Sequence, residues 1–237
     1  MKYLIRKCPF ASEIKDDLFD LVVKYVPGGH PGSSYGSQQT LWNQWQDVPQ
    51  FMRLFEWINN TVIPEVITEF VPTTKNPRAY KVGEYWGMLY PDGDVATHEH
   101  CHSPAILSMG YYINYPEGSA PFIISRKLDK LENMILNTNR GVPTVENLAE
   151  GNVSITPEEG DLIIIKGDTC HAVPKGHNTE GRCMIALNSY IVPQFVNTFD
   201  VICPNCDYED VIYELSSYGC PKCNTITPKE DLLIKCE

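Results

Sequence analysis

The first third of the chain carries apolar residues at helical spacing. Residues 12–26 predict a helix in which Ser12 stands at the N-cap position. The apolar stripe of this helix is formed by Ile14, Leu18, Leu21, Val22 and Tyr25. A glycine-rich loop follows, and a second helical pattern begins after Asp47, with Pro64 inside it as a potential kink or break. The pattern predicts a helical N-terminal region over residues 1–78 that packs on the next domain.

From residue 79 the pattern changes to short β-rich runs separated by Pro, Gly, Asp and Asn. These runs cover residues 79–90, 105–115, 120–125, 152–155, 161–166 and 182–192. Many short strands with turns between them are typical of a jelly roll, so we expect a double-stranded β-helix over residues 79–198. The polar segment 127–150, with one short helical stretch, is interpreted as an insertion. The fold class expected from these patterns is α+β.

Composition narrows the range of partners. A chain of 237 residues holds one good-sized domain and a small module. Its net charge of −11 opposes contact with a phosphate backbone, so nucleic acid is not an expected partner. The sequence contains no apolar run of the roughly 18–20 residues that span a bilayer. The first residues carry no apolar stretch of signal-peptide length, so we expect a cytoplasmic location without membrane contact.

Three of the six histidines stand at alternate positions in the stretch "DVATHEHCHSP". In an extended strand His98, His100 and His102 share one face, which favours a metal site over three separate surface residues. His171 follows a buried strand and is the best distal ligand. Three protein ligands on one face leave open positions, as a catalytic iron requires. The register leaves open whether His98 or His102 pairs with His100.

Arg182 follows His171 by eleven residues and leads into an apolar strand. A guanidinium offers a rigid fork of donors that matches a carboxylate in bidentate fashion. Its position therefore indicates a residue that binds an acidic ligand next to the metal.

The segments "HCHSPAILSMGYYINYP" and "EEGDLIIIKGDTCHAVPKGHNTEGRCMIALN" together resemble the iron- and 2-oxoglutarate-dependent oxygenases. The likeness is to the prolyl-hydroxylase-like branch common in bacteria and phages, and it covers roughly residues 80–190. By position, His100 and His102 match the first ligand pair of that branch and His171 matches the distal histidine. The resemblance implies iron(II) and 2-oxoglutarate as cofactors, and hydroxylation of a primary substrate coupled to the formation of succinate. The sequence does not identify that substrate, and a protein is one of the candidates.

The resemblance also implies the co-substrate pocket. Arg182 matches the residue that binds the far carboxylate of 2-oxoglutarate, and Tyr90 could contact the same molecule. Ser108, Tyr111 and Tyr112 match the strand after the first motif, and Ser108 and Tyr112 are therefore expected to bind the cofactor.

The chain departs from the usual pattern in its ligands. Most oxygenases of this superfamily carry His-x-Asp or His-x-Glu, whereas this chain has a second histidine, and Ser103 stands where the branch tends to have proline. An all-histidine set lacks one negative charge and is similar to the three-histidine sites of cupin dioxygenases. The alternative functions are therefore a cupin-like dioxygenase or isomerase that does not use 2-oxoglutarate, and a non-catalytic structural or recruitment protein on a jelly roll.

Residues 199–237 form a cysteine module with two Cys-x-x-Cys pairs. Cys203 and Cys206 are separated from Cys220 and Cys223 by thirteen residues, which predicts a tetrahedral zinc site of zinc-ribbon type. So short a module cannot bury a sufficient core, so the structural zinc is expected to stabilise its fold. Acidic residues around the pairs favour protein contact or bracing of the neighbouring domain over DNA binding. The other five cysteines are single and are expected to be reduced, small buried residues.

Overall fold

The computed structural model describes residues 2–29, 36–91, 93–125, 152–178 and 181–192, and five short strands beyond residue 200. The chain divides into two compact units, Met1–Val192 and Pro193–Glu237. The predicted insertion at 127–150 and the four cysteines of the predicted zinc ribbon lie outside the described residues.

Two antiparallel sheets form the first unit. The strands of the larger sheet are β1 (Tyr3–Lys7), β2 (Gln38–Gln39), β3 (Tyr80–Tyr90), β5 (Leu107–Asn114), β8 (Asp161–Lys166) and β10 (Arg182–Ile191). The strands of the smaller sheet are β4 (Gly93–His100), β6 (Phe122–Ile124), β7 (Val153–Ile155) and β9 (His171–Asn178). Their orders are β1-β8-β5-β10-β3-β2 and β4-β9-β6-β7, which is the arrangement of a jelly roll.

The helices lie before the long strand β3. They are α1 (Ala11–Tyr25), α2 (Pro49–Trp57) and α3 (Ile63–Phe70), with a π-helical segment at Ile58–Val62 and 3₁₀ turns at Val26–Gly28 and Pro77–Ala79. Pro64 does not break the helix, because the wider π turn just before it gives the proline ring room. The N-terminal region is not purely helical, since β1 and β2 join the larger sheet.

The N-cap prediction for Ser12 is wrong. The helix begins at Ala11, the N-cap residue is Phe10, and no side chain caps the helix. Backbone bonds close this corner instead: the Ala11 N–H donates to the Cys8 carbonyl at 3.3 Å, and the Cys8 N–H donates to the Gly160 carbonyl at 2.9 Å. Among the cysteines that the structure describes, Cys8 and Cys183 are buried as expected, whereas Cys101 is exposed and Cys170 is half-buried.

The larger sheet is covered on both faces, and each face has its own core. On β8, Leu162 and Ile164 pack with the helices, whereas Ile163 and Ile165 face the smaller sheet. This explains the unbroken apolar run of the strand, because side chains of both parities are removed from water. Among the described residues, the space between the two sheets is lined by His98, His100, His102 and His171.

The second unit contains five short described strands. Strands β12 (Ile212–Glu214), β13 (Ser217–Gly219) and β14 (Ile226–Pro228) form an antiparallel sheet, and β11 (Val201–Ile202) pairs with β15 (Leu233–Ile234). No helix in the described part of the chain is both long and apolar enough to cross a membrane.

Candidate active site

The end of β4 and the start of β9 bring the two histidine segments together. His100 and His171 are directly opposite each other in the pairing of these strands. His102 lies two residues beyond β4, and its backbone N–H donates to the Gly167 carbonyl at 2.7 Å. The ligand nitrogens of these three histidines all lie within 4.8 Å of one another. Since an ion with bonds of about 2.1 Å joins nitrogens up to about 4.2 Å apart, a shift of about half an ångström is enough to hold one ion.

Backbone carbonyls orient two of the three rings. The Nδ1 atom of His100 lies 2.7 Å from the His98 carbonyl oxygen, and the Nδ1 atom of His171 lies 3.0 Å from the Thr169 carbonyl oxygen. A carbonyl oxygen only accepts, so each Nδ1 carries the proton and each Nε2 keeps its lone pair. This is the arrangement that second-sphere acceptors impose on metal-binding imidazoles.

Burial keeps the cluster uncharged. It lowers the pKa of His100 and lowers that of His171 well below the ordinary value of a histidine. For His102, burial and then the neighbouring His100 lower the pKa to about 4. Neutral imidazole is the form that binds metals, so at neutral pH no proton has to leave before an ion enters.

His98 does not join the cluster. It is exposed, its ring centroid lies 5.5 Å from that of His100, and its carbonyl rather than its ring serves the site. Of the two pairings that the sequence left open, the structure brings together His100 and His102 with His171.

Arg182 opens β10 and is fully buried, with Tyr90 opposite it in the pairing with β3. Its guanidinium lies 4.2 Å from the ring centroid of Tyr90, 5.7 Å from that of Tyr115 and 5.9 Å from that of Tyr112. Among the described residues, no acceptor reaches any of the three guanidinium nitrogens, and no carboxylate lies within 4.0 Å of them.

A buried charge without a partner is strongly unfavourable, because desolvation of the ion is not offset by a hydrogen bond or a counter-ion. The arrangement suits a site that receives an acidic ligand. Burial raises the pKa of the Tyr112 hydroxyl, against the opposing effect of the Arg182 charge, so this phenol is neutral. The Tyr115 hydroxyl donates to the carbonyls of Ser119 and Ala120 at 2.9 and 3.1 Å, which holds its ring against the guanidinium.

A cavity of about 260 Å³ lies between the sheets and reaches the histidine cluster. Strand β3 lines it with side chains of one parity, Glu84, Trp86, Met88 and Tyr90. The Tyr90 hydroxyl shares a 2.8 Å hydrogen bond with Thr97. The Arg182 guanidinium packs on the Tyr90 ring, and Arg182 is not among the described residues that line the cavity.

The predicted residue Ser108 also lines the cavity, but at its other end. It is opposite Asn188 in the pairing of β5 with β10, whereas Tyr112 is opposite Met184. Four residues of strand separate Ser108 from Tyr112, roughly 13 Å, so the two do not flank one carboxylate. Tyr111 faces the helices, not the cavity.

Sequence reasoning missed the wall of the cavity. Trp42 is 51% exposed, its ring centroid lies 5.8 Å from that of Trp86, and Trp86 lies 5.5 Å from His102. Glu84, Gln39 and Asn188 add polar groups at the same end. The period-two pattern of β3 was the available signal, because every second residue from Glu84 to Tyr90 falls on the cavity face.

Comparison with known proteins agrees with this geometry. Residues 84–188 match the model of a family described as "Putative 2OG-Fe(II) oxygenase". No curated protein sequence matches the chain. The matched segment is similar to the iron(II)- and 2-oxoglutarate-dependent oxygenases, the class that the sequence also resembles.

Solved structures of this class share the fold. HygX from Streptomyces hygroscopicus, with nickel and 2-oxoglutarate bound, superposes with a TM-score of 0.58 at 13% identity, covering 81% of this chain and 83% of that one. A prolyl-4-hydroxylase from Pseudomonas putida gives 0.50 at 14% identity, covering 80% and 91%. A prolyl hydroxylase from Trichoplax adhaerens, in complex with a hypoxia inducible factor peptide fragment, gives 0.51 at 13% identity, covering 80% and 83%.

Proposed function

We propose that His100, His102 and His171 bind the iron(II) and that Arg182 binds the 5-carboxylate of 2-oxoglutarate. The observation that carries this assignment is Arg182, which is buried, charged and without an acceptor among the described residues. Its guanidinium packs on Tyr90, which lines the same cavity that the histidine cluster reaches. A small diacid supplies the missing acceptor and can reach the metal with its other end.

When bound, the iron and the co-substrate supply the oxidative decarboxylation of 2-oxoglutarate to succinate, coupled to hydroxylation of the primary substrate. The chain holds and orients the reactants. The three imidazoles would hold the ion and would leave other positions available for the co-substrate and dioxygen. Tyr90, Tyr112 and Tyr115 provide apolar ring surfaces around the guanidinium, and removal of water there strengthens its pairing with a carboxylate.

The all-histidine set has a nearby carboxylate that does not contact the metal cluster. The Asn188 amide donates to Glu84 at 3.1 Å and lies 3.4 Å from the Nδ1 atom of His102. Asn188 thus lies between Glu84 and His102, and Glu84 is absent from the group of side chains close enough to share an ion. The site therefore places negative charge at the edge of the cavity, not on the metal.

A cupin-like activity without 2-oxoglutarate remains the second candidate, and it is favoured by the three-histidine set itself. It gives no role to an unpaired buried arginine, so Arg182 favours the oxygenase. A non-catalytic jelly roll has no need for a metal-binding cluster or for a buried guanidinium without an acceptor, so both features also count against the third candidate.

Anaerobic reconstitution with iron(II) tests the assignment. We expect about one iron per chain at the histidine cluster, and a charge-transfer absorption that appears only when 2-oxoglutarate is added. In air, we expect succinate to accumulate slowly without a primary substrate. Iron binding without an absorption change or succinate would favour the cupin-like alternative, and the failure of iron to bind would favour the non-catalytic one.

We further propose that Cys203, Cys206, Cys220 and Cys223 bind a structural zinc ion. The support is their spacing and the backbone around the pairs: β12 and β13 lie between the two pairs and pair antiparallel, and β14, after the second pair, adds a third strand. The role of this module is contact with a protein or support of the fold, because its own acidic residues oppose nucleic acid.

A further inference from the structure

Residues of strand β3 mark successive levels along the cavity. Its pairing with β10 sets Tyr90 opposite Arg182, Trp86 opposite Ala186 and Glu84 opposite Asn188. Six residues of strand separate the Arg182 level from the Glu84 level, which is about 20 Å. His102 contacts Trp86 and Asn188, so the metal cluster lies between the two ends and nearer to Glu84. The co-substrate belongs to the Arg182 side, and the primary substrate must therefore approach from the Glu84 side.

Glu84 is the only carboxylate among the described residues that line the cavity, and no lysine or arginine lines it there. Its Oε2 atom accepts hydrogen bonds from the Tyr190 hydroxyl at 2.6 Å and from the Asn188 amide at 3.1 Å. Both bonds fall on the same oxygen. Within the described ranges no donor reaches Oε1 and no cationic side chain lies within 4.0 Å of Glu84.

The two bonds make Glu84 a rigid acceptor. Tyr190 and Asn188 both belong to β10, so the carboxylate is fixed to the strand that also carries Arg182. Glu84 lies beside Asn188, Gln39 and two tryptophans at the open end, with one oxygen left for a ligand.

The aromatic wall suits the same kind of ligand. Trp42, Trp86 and His102 follow one another from solvent to the metal cluster, with ring centroids 5.8 and 5.5 Å apart. Because the two indoles already contact each other, they leave no slot for a flat ring between them. The exposed surface of Trp42 and the ring edges along the cavity can pack against an alkyl chain, and an indole face attracts a cation.

We propose that the primary substrate carries an ammonium or guanidinium group on an alkyl chain, and that this group pairs with Glu84 while the chain lies along Trp42 and Trp86. This inference rests on the proposed function, since the direction of approach depends on 2-oxoglutarate at Arg182. The level of Glu84 is two strand residues from that of Trp86, about 7 Å, so the hydroxylated carbon lies a few bonds from the charged group.

The test is an anaerobic titration of the full chain loaded with iron(II) and 2-oxoglutarate, followed by heat of binding and by the charge-transfer absorption. The cationic probes are L-lysine, L-arginine, 1,5-diaminopentane, and the blocked pentapeptides Gly-Gly-Lys-Gly-Gly and Gly-Gly-Arg-Gly-Gly. The counterparts that lack the side-chain cation are L-norleucine for lysine, L-citrulline for arginine, 1,5-pentanediol for the diamine, and the pentapeptides with acetyllysine or citrulline. The free and peptide-bound probes distinguish a small-molecule substrate from a protein side chain.

The variant Glu84→Gln keeps the size of the side chain and an acceptor oxygen for Tyr190. Glu56→Gln is the matched control, because Glu56 is an exposed carboxylate on α2 and the change in net charge is the same. We expect at least one cationic probe to bind the parent about 10- to 100-fold more tightly than its uncharged counterpart, as a hydrogen bond to a charged group provides. That preference should disappear in Glu84→Gln and persist in Glu56→Gln.

Three results would overturn the proposal. One is equal binding of every charged and uncharged pair by the parent protein. Another is a cation preference that survives in Glu84→Gln. The third is loss of iron from that variant, which would make Glu84 a support of the metal cluster. In each case an intact charge-transfer absorption in the parent shows that the proposed function still stands, whereas its absence shows that the proposed function itself has failed.

Discussion

The guanidinium of Arg182 packs 4.2 Å from the ring centroid of Tyr90, directly across the β3–β10 pairing, and no acceptor within the described part of the chain satisfies its nitrogens. Stability alone does not favour a fully buried, unpaired cation in a core. The chain thus carries an unfavourable group at the position where a diacid would end, as expected when binding is selected at the expense of the free protein's stability.

Replacement of Arg182 by methionine should separate these two effects. Arg182→Met removes the buried charge and keeps much of the volume, so we expect the thermal midpoint of the metal-loaded protein without co-substrate to stay constant or rise. The affinity for 2-oxoglutarate should fall by about 100-fold or more, the value of a charge-assisted bidentate pair of about 3 kcal/mol. Thermal unfolding with and without 2-oxoglutarate measures both. An equal rise in midpoint on adding 2-oxoglutarate to variant and parent would remove Arg182 from the co-substrate site.

The histidine cluster predicts a clear difference between a histidine inside it, His171, and one outside it, His98. His171→Ala removes one of three ligands, so we expect iron content and succinate formation to be lost while the far-ultraviolet circular dichroism remains that of the folded protein. His98→Ala should retain iron, because only the backbone carbonyl of His98 serves the site. Metal analysis after anaerobic loading measures both variants. Retention of iron and succinate production by His171→Ala would contradict the assignment.

Packing at Gly87 predicts a specific loss of stability. A Cβ atom there would meet Val22 Cγ2 at 2.7 Å and Trp45 Cη2 at 2.9 Å, both on the helix-covered face of the sheet. We expect Gly87→Ala to lower the free energy of unfolding by about 1–3 kcal/mol, the usual cost of an overpacked core. Urea denaturation measures it.

Gly110→Ala is the matched control for Gly87→Ala. Its Cβ would meet the Met184 Cε atom at 2.8 Å, but that atom is the end of a flexible side chain beside the cavity and can move into it. A loss at Gly110 as large as that at Gly87 would show that the cavity is more tightly packed than the structure indicates.

The cysteine module predicts a second metal. The purified full chain should contain about one zinc that survives removal of iron by a mild chelator. Cys203→Ser should abolish this zinc and expose the module to proteolysis, because the metal supplies its folding free energy. Zinc analysis and limited digestion measure the outcome, with Cys101→Ser as the control for a single exposed cysteine. Full zinc occupancy in Cys203→Ser would refute the ribbon.

Sequence reasoning located the strands because their signal is local. The runs that predict β3, β8 and β10 match these strands within a residue or two, since a strand buried on both faces is a continuous apolar segment in any context. The first histidine motif was visible because it is also local: its three histidines lie within five residues of sequence. The strands β1 and β2 were missed because β1 has no buried residue and β2 has only two residues, so neither carries an apolar run.

The partners of the site could not be found in this way. Tyr115 and Glu84 meet the site only through pairing between strands that are far apart in sequence, and no periodicity reports which strand lies next to which. The same limit explains Ser108: its motif position was visible, but its distance from Arg182 follows from the register of β5 against β10. The Ser12 cap was a local expectation that a backbone contact with Gly160 replaced.

The pairing of β3 with β10 changes register between Asn188 and Ser189, just beyond the pair that Asn188 forms with Glu84. Every pair from Arg182 to Asn188 keeps the same register. The irregularity is thus confined to the end of the pairing beyond Glu84 and Asn188. Sequence change there can reshape the entrance without moving the guanidinium relative to the imidazoles, so a lineage of such proteins can acquire new targets while its central chemistry is inherited intact.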